Sequence, residues 1–165
     1  MIDPYPSTNS PCQGTKEIMM EIKKIDHICI AVKNLEEARK LWEPLLGKDK
    51  PDDAYVDEPE KIKVARYWIG EVGFELMEST TTDGDVAKFI GKNGEGFMLI
   101  SFNLDNTRAA AKELQAKGYQ FIPDKRGEIV RPFRDGEFAF VHPKTLNGVL
   151  TELIDDKGQL VSRSE

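Results

Sequence analysis

Three residues with chemically active side chains interrupt apolar segments of this sequence. His27 lies in IDHICIAV, Glu75 in GFELM and Glu152 in GVLTELI. Burying an imidazole or a carboxylate in such a segment costs free energy unless the group is paired, hydrogen-bonded or bound to a metal ion. Strand alternation places Phe74 and Leu76 on the face opposite Glu75. The three residues are therefore candidates for a site inside the protein.

Each candidate also has an ordinary structural explanation. A single glutamate can face solvent on an antiparallel sheet with one wet side, and a single histidine in an apolar strand is commonly a hydrogen-bonded core residue. The two glutamates, however, occupy corresponding positions near the ends of the two halves of the chain. Two similar modules bring equivalent strands together around a shared axis, so we favour a cavity that is lined from both halves.

The two halves of the chain repeat the same order of predicted elements. Each half begins with an apolar strand, continues with a helix and ends with further strands. The residues that align between the halves are Ile28 with Ile100, Asn34 with Asn106, Ala38 with Ala110, and Glu75 with Glu152. A module of this size cannot bury its own apolar face, so the two are expected to share one sheet system.

The predicted elements of the first half are the strand KIDHICIAV, the helix NLEEARKLWEPLLG, the strands KVARYWIG and GFELMES, and the short helix DVAKFIGKNG. The first helix is expected to start at Asn34 as N-cap, with Glu37 as capping-box partner, and to end at Gly47. The second half contains the strand GFMLISFNL, the helix DNTRAAAKELQAKG and the strands YQFIP, EFAFVHP and GVLTELID. The segments PDDAYVDEPEKI and PDKRGEIVRPFRDG are predicted to be loops.

Three segments resemble the vicinal oxygen chelate (glyoxalase/bleomycin-resistance) superfamily, and within it the methylmalonyl-CoA epimerase family most closely. They are KIDHICIAVKNLEEARKLWE, VAKFIGKNGEGF and FAFVHPKTLNGVLTELID, and the resemblance covers roughly residues 22–155. It implies an α+β fold in which two βαβββ modules, about 22–92 and 94–155, form a single domain over 21–155. The modules share a cup-shaped antiparallel sheet around a divalent metal ion.

The resemblance also implies a ligand set for that ion. The positions of the family's ligands fall on His27, Glu75 and Glu152, and the expected ion is Co²⁺, Mn²⁺, Ni²⁺ or Zn²⁺. A fourth ligand of the family, the second His of Gly-Glu-Gly-Leu-His-His, falls on Leu99 in GEGFML. Because leucine has no lone pair, the metal is predicted to bind weakly or not at all. Substrate-pocket positions are predicted at Leu99, His142 and Lys144.

The resemblance implies an isomerase, which removes the proton from the carbon α to a thioester and returns a proton to the opposite face of that carbon. Glu152 and Glu75 are the predicted catalytic carboxylates, and the substrate is an acyl-CoA such as methylmalonyl-CoA. The family's second acid falls on Val64, and Glu60 is the nearest acid, in a predicted loop. The alternatives are a lactoylglutathione lyase of the glyoxalase type and a non-catalytic protein that binds a small molecule in the same cup.

Composition narrows the setting of this activity. The chain has 165 residues, 32% of them charged, and a net charge of −6, which argues against a nucleic-acid partner. No apolar run approaches the roughly 20 residues of a membrane span. Two cysteines make no disulfide framework, so a reducing, cytoplasmic location is expected. We also expect a homodimer, a mobile arm at residues 1–20 that contains three prolines, and a polar tail at 156–165.

Overall fold

The elements of the fold lie between residues 20 and 157, which are the residues that the computed structural model describes. The predicted arm, apart from Met20, and all but the first two residues of the predicted tail lie outside this range. Met20 packs against the core, and its N–H group donates to Glu113 Oε2 at 3.2 Å. Within residues 20–157, no helix is long and apolar enough to cross a membrane.

Within residues 20–157, nine strands and three α-helices follow one another, with one short 3₁₀ turn at Pro143–Thr145. The first module contains β1 (Lys24–Ala31), α1 (Leu35–Leu46), β2 (Asp53–Asp57), β3 (Ile62–Ile69) and β4 (Val72–Ser79), followed by α2 (Asp85–Asn93). The second contains β5 (Gly96–Asn103), α3 (Thr107–Ala116), β6 (Phe121–Ile122), β7 (Arg131–Phe133), β8 (Gly136–Val141) and β9 (Leu150–Ile154).

All nine strands belong to one sheet with the order β2-β3-β4-β1-β5-β9-β8-β6, and β7 pairs with β8. The two modules meet at its centre, where β1 and β5 run antiparallel with His27 opposite Ser101. The sheet is mixed, because β1 pairs with β4 and β5 pairs with β9 in parallel. The predicted cup-shaped sheet is therefore present, but two of its strand pairs are parallel rather than antiparallel.

The sheet curls until its two ends approach each other. Tyr55 on β2 and Phe133 on β7 have ring centroids 5.7 Å apart. Two ion pairs cross the same gap, from Arg131 to Glu60 at 3.0 Å and from Arg134 to Asp53 at 2.8 Å. These contacts join the first module to the second and give the curled sheet the predicted cup shape.

Side-chain caps begin the two longest described helices, and the sequence predicted the one at Asn34. The Asn34 carboxamide oxygen accepts from the Glu37 N–H group at 3.0 Å, and Asn106 accepts from Ala109 N–H at 2.9 Å. Gly47 ends α1 with φ of 67°, a conformation that glycine adopts without a Cβ clash. The Glu37 carboxylate binds Lys40 Nζ at 2.7 Å, and only the Asn34 half of the predicted capping box is present among the described hydrogen bonds.

Helices α1 and α3 cover the outer face of the sheet, and the cup faces the other way. Leu35 and Ala38 of α1 pack with Ala65 and Leu76, and α3 packs in a second cluster with β8 and β9. A third apolar cluster lines the inside of the cup and contains Cys29, Ala31, Val64, Met77, Val86 and Leu99. Alternation along each strand separates the outer clusters from the inner one.

Two segments predicted to be loops contain strands. Residues Asp53–Asp57 form β2, which pairs with β3 from Asp53 opposite Arg66 to Asp57 opposite Ile62. Residues Arg131–Phe133 form β7 against β8. Aspartate is unfavourable in strands by propensity, but pairing with a neighbouring strand outweighs a local preference of this size.

Candidate metal and acid–base site

The three residues singled out in the sequence lie together on the concave face of the sheet. His27 is on β1, Glu75 on β4 and Glu152 on β9. His27 Nε2 lies 3.6 Å from Glu75 Oε2 and 3.3 Å from Glu152 Oε1. The exposed fraction is 5% for His27, 0% for Glu75 and 7% for Glu152. The alternative explanation, that the glutamates face solvent, is therefore wrong.

Asp26 orients the imidazole of His27 from behind. The register of β1 against β5 shifts between Ile25 and His27, so Asp26 is the extra residue of a β-bulge. Its Oδ1 lies 2.8 Å from His27 Nδ1, and its Oδ2 accepts from Asn103 Nδ2 at 2.9 Å. A carboxylate on one ring nitrogen fixes the ring and directs the other, Nε2, toward Glu75 and Glu152.

The surrounding carboxylates decide the charge of His27. Burial lowers the pKa of the imidazole, but the negative charges of Glu75, Glu152 and Asp26 outweigh burial and raise this pKa to about 9. At neutral pH, His27 is therefore an imidazolium ion between carboxylates. A metal ion bound by Nε2 would replace the proton on that nitrogen.

Glu75 is held in its ionised form. Burial raises its pKa, but His27 and Arg66 together bring the pKa below its ordinary value. The Arg66 guanidinium is buried as well, and its Nε donates to Glu75 Oε1 at 2.5 Å. The other oxygen, Oε2, accepts from the Cys29 thiol at 3.0 Å. Arg66 therefore occupies one oxygen of Glu75, and the second oxygen faces His27.

The pKa of Glu152, in contrast to that of Glu75, lies above its ordinary value. Burial is the largest influence on this carboxyl group and raises its pKa to about 7, although His27 and a hydrogen bond from Ser101 act against the rise. The Ser101 Oγ–H group donates to Glu152 Oε1 at 2.7 Å. Two carboxylates beside the same imidazole thus differ in proton affinity because Arg66 neutralises only Glu75.

These side chains form part of the wall of a cavity of about 560 Å³. Both modules contribute to its lining, the first with Tyr55, Glu60, Ile62 and Met77 and the second with Leu99, Arg131, Phe138 and Phe140. Leu99 is thus at the cavity, and Glu60 lies in the turn between β2 and β3 as expected. A volume of several hundred Å³ is typical of sites for small organic ligands.

The two remaining predicted pocket residues, His142 and Lys144, are not among the residues that line this cavity. His142 Nδ1 accepts from the Lys144 N–H group at 3.1 Å, and His142 is the N-cap of the 3₁₀ turn Pro143–Thr145. Lys144 is exposed on that turn. The turn joins β8 to β9 and places Pro143, rather than these two side chains, at the cavity.

Donor spacing in this cluster fits a divalent metal ion. Ligands held at about 2.0–2.3 Å from one ion with tetrahedral or octahedral angles lie about 3–3.7 Å from each other. The separations of 3.3 and 3.6 Å from His27 Nε2 to the two carboxylates agree with this spacing. The ligating atoms of His27, Cys29 and Glu75 also lie within 4.8 Å of one another. The residues present can therefore hold such an ion.

Sequence reasoning did not place four residues that shape this cluster, namely Asp26, Cys29, Arg66 and Ser101. One signal was available for Arg66, because an arginine inside the apolar strand VARYW is as costly to bury as the glutamates. Asp26, Cys29 and Ser101 could be located at the site only from the pairing register of the strands. Ser101 contacts Glu152 because β5 and β9 pair with these two residues directly opposite each other.

The fold and the site define a class of protein. The family model described as Glyoxalase/Bleomycin resistance protein/Dioxygenase superfamily matches residues 26–140, and the chain belongs to this superfamily. It is 34% identical over 142 residues to the protein YqjC of Bacillus subtilis, covering 83% of this chain and 95% of that protein. The family and fold predictions are thus confirmed.

Two further relatives are methylmalonyl-CoA epimerases. The human mitochondrial methylmalonyl-CoA epimerase is 29% identical over 150 residues, which cover 89% of this chain and 82% of the human protein. A solved structure of a methylmalonyl-CoA epimerase in complex with methylmalonyl-CoA and NH₄⁺ is 30% identical, with a TM-score of 0.74. That likeness covers 84% of this chain and 97% of the other.

Proposed function

We propose that this protein is an isomerase that inverts the α-carbon of an acyl-CoA thioester, with methylmalonyl-CoA as the best-supported substrate. The observation that carries the proposal is Glu152, a buried carboxylate with a pKa of about 7 on the wall of a cavity suited to a small acyl group. The similarity to a solved epimerase with methylmalonyl-CoA bound supports the choice of substrate.

Glu152 acts as the base that removes the α-proton. A general base works best when its pKa lies near the operating pH, because it is then ionised often enough and still binds the proton strongly. Ser101 holds Glu152 Oε1 at 2.7 Å and restricts the orientation of the carboxylate. The His27 imidazolium, 3.3 Å away, favours the ionised form that accepts the proton.

His27, Glu75 and Glu152 are the residues that would hold a divalent ion. Such an ion would supply Lewis-acid stabilisation of the negative charge that develops on the thioester oxygen. Glu75 remains ionised because of Arg66 and His27, so we assign it to binding rather than to proton transfer. Glu152 has two oxygens, and a carboxylate can use one for an ion and the other for a substrate proton.

Inversion also requires an acid on the opposite face of the substrate carbon. Glu60 lines the same cavity from the first module, whereas Glu152 lies on the last strand of the second. Burial raises the pKa of Glu60, and the opposing charge of Arg131 only partly offsets this. Arg131 Nη1 contacts both oxygens of Glu60 at 3.0 and 3.1 Å and positions the group. We assign the second proton transfer to Glu60.

Binding without turnover is the second candidate function. Arg66 already neutralises Glu75, and Leu99 adds an apolar side chain where a further donor would strengthen an ion site. Both features suit a cup that retains a small ligand. The lyase alternative has no support from the epimerase relatives described above. A homodimer and a cytoplasmic location remain predictions.

Proton exchange in heavy water tests the proposal. Methylmalonyl-CoA incubated with the purified protein and added Co²⁺, Mn²⁺, Ni²⁺ or Zn²⁺ should gain one deuterium at the α-carbon, detected by mass spectrometry. Glu152→Gln should reduce this exchange by about 10²–10⁴-fold, the usual contribution of a positioned acid or base. Binding of methylmalonyl-CoA without exchange under all four metals would favour the binding protein instead.

A further inference from the structure

We propose that Cys29 is a ligand of the divalent ion at this site and gives the site a preference for thiophilic ions, namely Zn²⁺, Co²⁺ and Cd²⁺, over Mg²⁺ and Mn²⁺. This inference rests on the metal-binding part of the proposed function. It concerns which ion the site selects, and it does not depend on the identity of the substrate.

The position of Cys29 on its strand directs its thiol into the cup. Cys29 follows His27 by two residues on β1, so both side chains lie on the same face. It packs with Val64, Met77 and Leu99 in the apolar cluster inside the cup. The residue is fully buried, and its sulfur contacts groups on the site side of the sheet.

The thiol already contacts the oxygen that faces the imidazole. Cys29 Sγ lies 3.0 Å from Glu75 Oε2, and the same oxygen lies 3.6 Å from His27 Nε2. The ligating atoms of all three residues fall within 4.8 Å of one another. One ion can therefore contact all three after small side-chain movements.

A sulfur ligand also completes the coordination number. Zn²⁺ and tetrahedral Co²⁺ take four ligands, and His27, Glu75 and Glu152 supply three. Leu99, which pairs with Cys29 across β1 and β5, has no donor atom. Among the described residues, Cys29 offers a further donor atom that lies within 4.8 Å of the ligating atoms of both His27 and Glu75. Thiolate is a soft ligand and favours Zn²⁺ over the hard ions Mg²⁺ and Mn²⁺.

Charge and proton balance are consistent with this ligand set. On binding, the S–H bond of Cys29 breaks, its electron pair forms the bond to the ion, and its proton leaves to solvent. The proton on His27 Nε2 leaves in the same way. The thiolate and two carboxylates carry three negative charges, which the divalent ion and the Arg66 guanidinium on Glu75 Oε1 balance. The Asp26 carboxylate remains as a further negative charge and is held by hydrogen bonds from His27 Nδ1 and Asn103 Nδ2.

Co²⁺ absorption tests the assignment directly, because a thiolate ligand produces an intense charge-transfer band in the near ultraviolet. The full chain, freed of metal by a chelator and kept reduced, is titrated with Co²⁺ under anaerobic conditions. We expect the band in the wild type and in Cys12→Ser, which removes the chain's only other cysteine. Cys29→Ser keeps a small hydrogen-bonding group beside Glu75 and should lack the band.

Calorimetry on the same proteins measures the selectivity. Cys29→Ser should weaken Zn²⁺ and Cd²⁺ binding at least about tenfold, since loss of even an outer-shell partner commonly costs about 10–100-fold. Its Mn²⁺ affinity should change much less. The assignment of Cys29 would be wrong if the wild type bound Co²⁺ without the band and Cys29→Ser bound Zn²⁺ as tightly as the wild type. That result would leave His27, Glu75 and Glu152 as the proposed ligands. If the wild type binds none of these ions, the Cys29 assignment and the proposed metal site are both wrong. The exchange assay would then decide separately whether the protein is an isomerase.

Discussion

His27 Nε2 lies 3.3 Å from Glu152 Oε1, and both side chains are buried inside the cup. The imidazolium and the carboxylate stabilise each other's charged forms there. Burial opposes both charges. The negative charges of Asp26 and Glu75 help to keep the proton on the imidazole, and the hydrogen bond from Ser101 orients the carboxylate of Glu152. This arrangement links the stability of the metal-free protein to pH.

The stability of the metal-free protein should fall as pH rises from about 6.5 to about 9. Folded His27 keeps its proton up to a pKa of about 9, whereas an unfolded imidazole loses it near 6.5. The folded state therefore binds more protons in this window, and one proton corresponds to a slope of at most about 1.4 kcal/mol per pH unit. Urea unfolding in the presence of a chelator, repeated across this pH range, measures the slope.

A matched control uses the other histidine of the chain. His27→Gln should flatten the pH dependence of unfolding between 6.5 and 9, and His142→Gln should retain the wild-type slope. Glu152 adds a second contribution of the same sign at lower pH, because its proton is lost at about 7 in the folded state and at 4.5 in the unfolded chain. Stability that increased with pH over the whole range would contradict the assigned charge states.

Glu60→Gln should separate proton exchange from inversion. If Glu60 serves one face of the substrate and Glu152 the other, the variant still exchanges the α-proton of one epimer with solvent. It cannot deliver a proton to the opposite face, so interconversion of the two epimers should fall about 10²–10⁴-fold. Deuterium uptake by each separate epimer of methylmalonyl-CoA, followed together with its inversion, distinguishes the two events.

The control for this variant is Glu58→Gln, an exposed acid in the same turn. It should leave both rates unchanged. Equal loss of exchange for both epimers in Glu60→Gln would show that Glu60 is not the second acid and that its pairing with Arg131 matters mainly for structure.

Arg66→Met should destabilise the protein by about 3–5 kcal/mol, because it leaves the buried charge of Glu75 without its partner. The double variant Arg66→Met, Glu75→Gln should recover part of this loss, since the uncompensated charge is then absent. Arg108→Met removes an exposed pair with Glu137 and should change the free energy of unfolding much less, because solvent screens exposed ion pairs. Urea unfolding at pH 7 of the wild type, Arg66→Met, Glu75→Gln, the double variant and Arg108→Met completes the comparison, and additive losses in the double variant would argue against coupling.

In a Cys29→Ser background, where one of the four ligands is missing, Leu99→His should tighten the binding of Co²⁺ or Zn²⁺ at least about tenfold. Leu99 is buried and lines the cavity, and a neutral imidazole there adds a ligand suited to first-row divalent ions. Without metal, the same change should lower the melting temperature, because it places a polar group among apolar side chains. Titration calorimetry and melting curves with and without metal check both effects. Unchanged affinity would mean that position 99 does not face the ion.

Local signals in the sequence were sufficient for most elements and for the three central residues. Asn34 and Asn106 begin helices because a side-chain oxygen next to exposed N–H groups needs only neighbouring residues to act. Alternation around Glu75 and Glu152 indicated buried acids, because an apolar strand assigns each residue to a face. The repeat between the halves indicated that these acids share one cavity.

The tertiary structure alone decided how those residues are charged and held. Arg66 meets Glu75 because β3 pairs with β4 at that register, and Asp26 reaches His27 because a bulge interrupts β1 against β5. The strands β2 and β7 form despite unfavourable local composition because neighbouring strands supply their hydrogen bonds. The position of the Cys29 thiol beside Glu75 depends on residues 46 positions apart in the chain. A pKa depends on burial and on charges within a few Å, and those distances exist only after the two modules have closed into one cup.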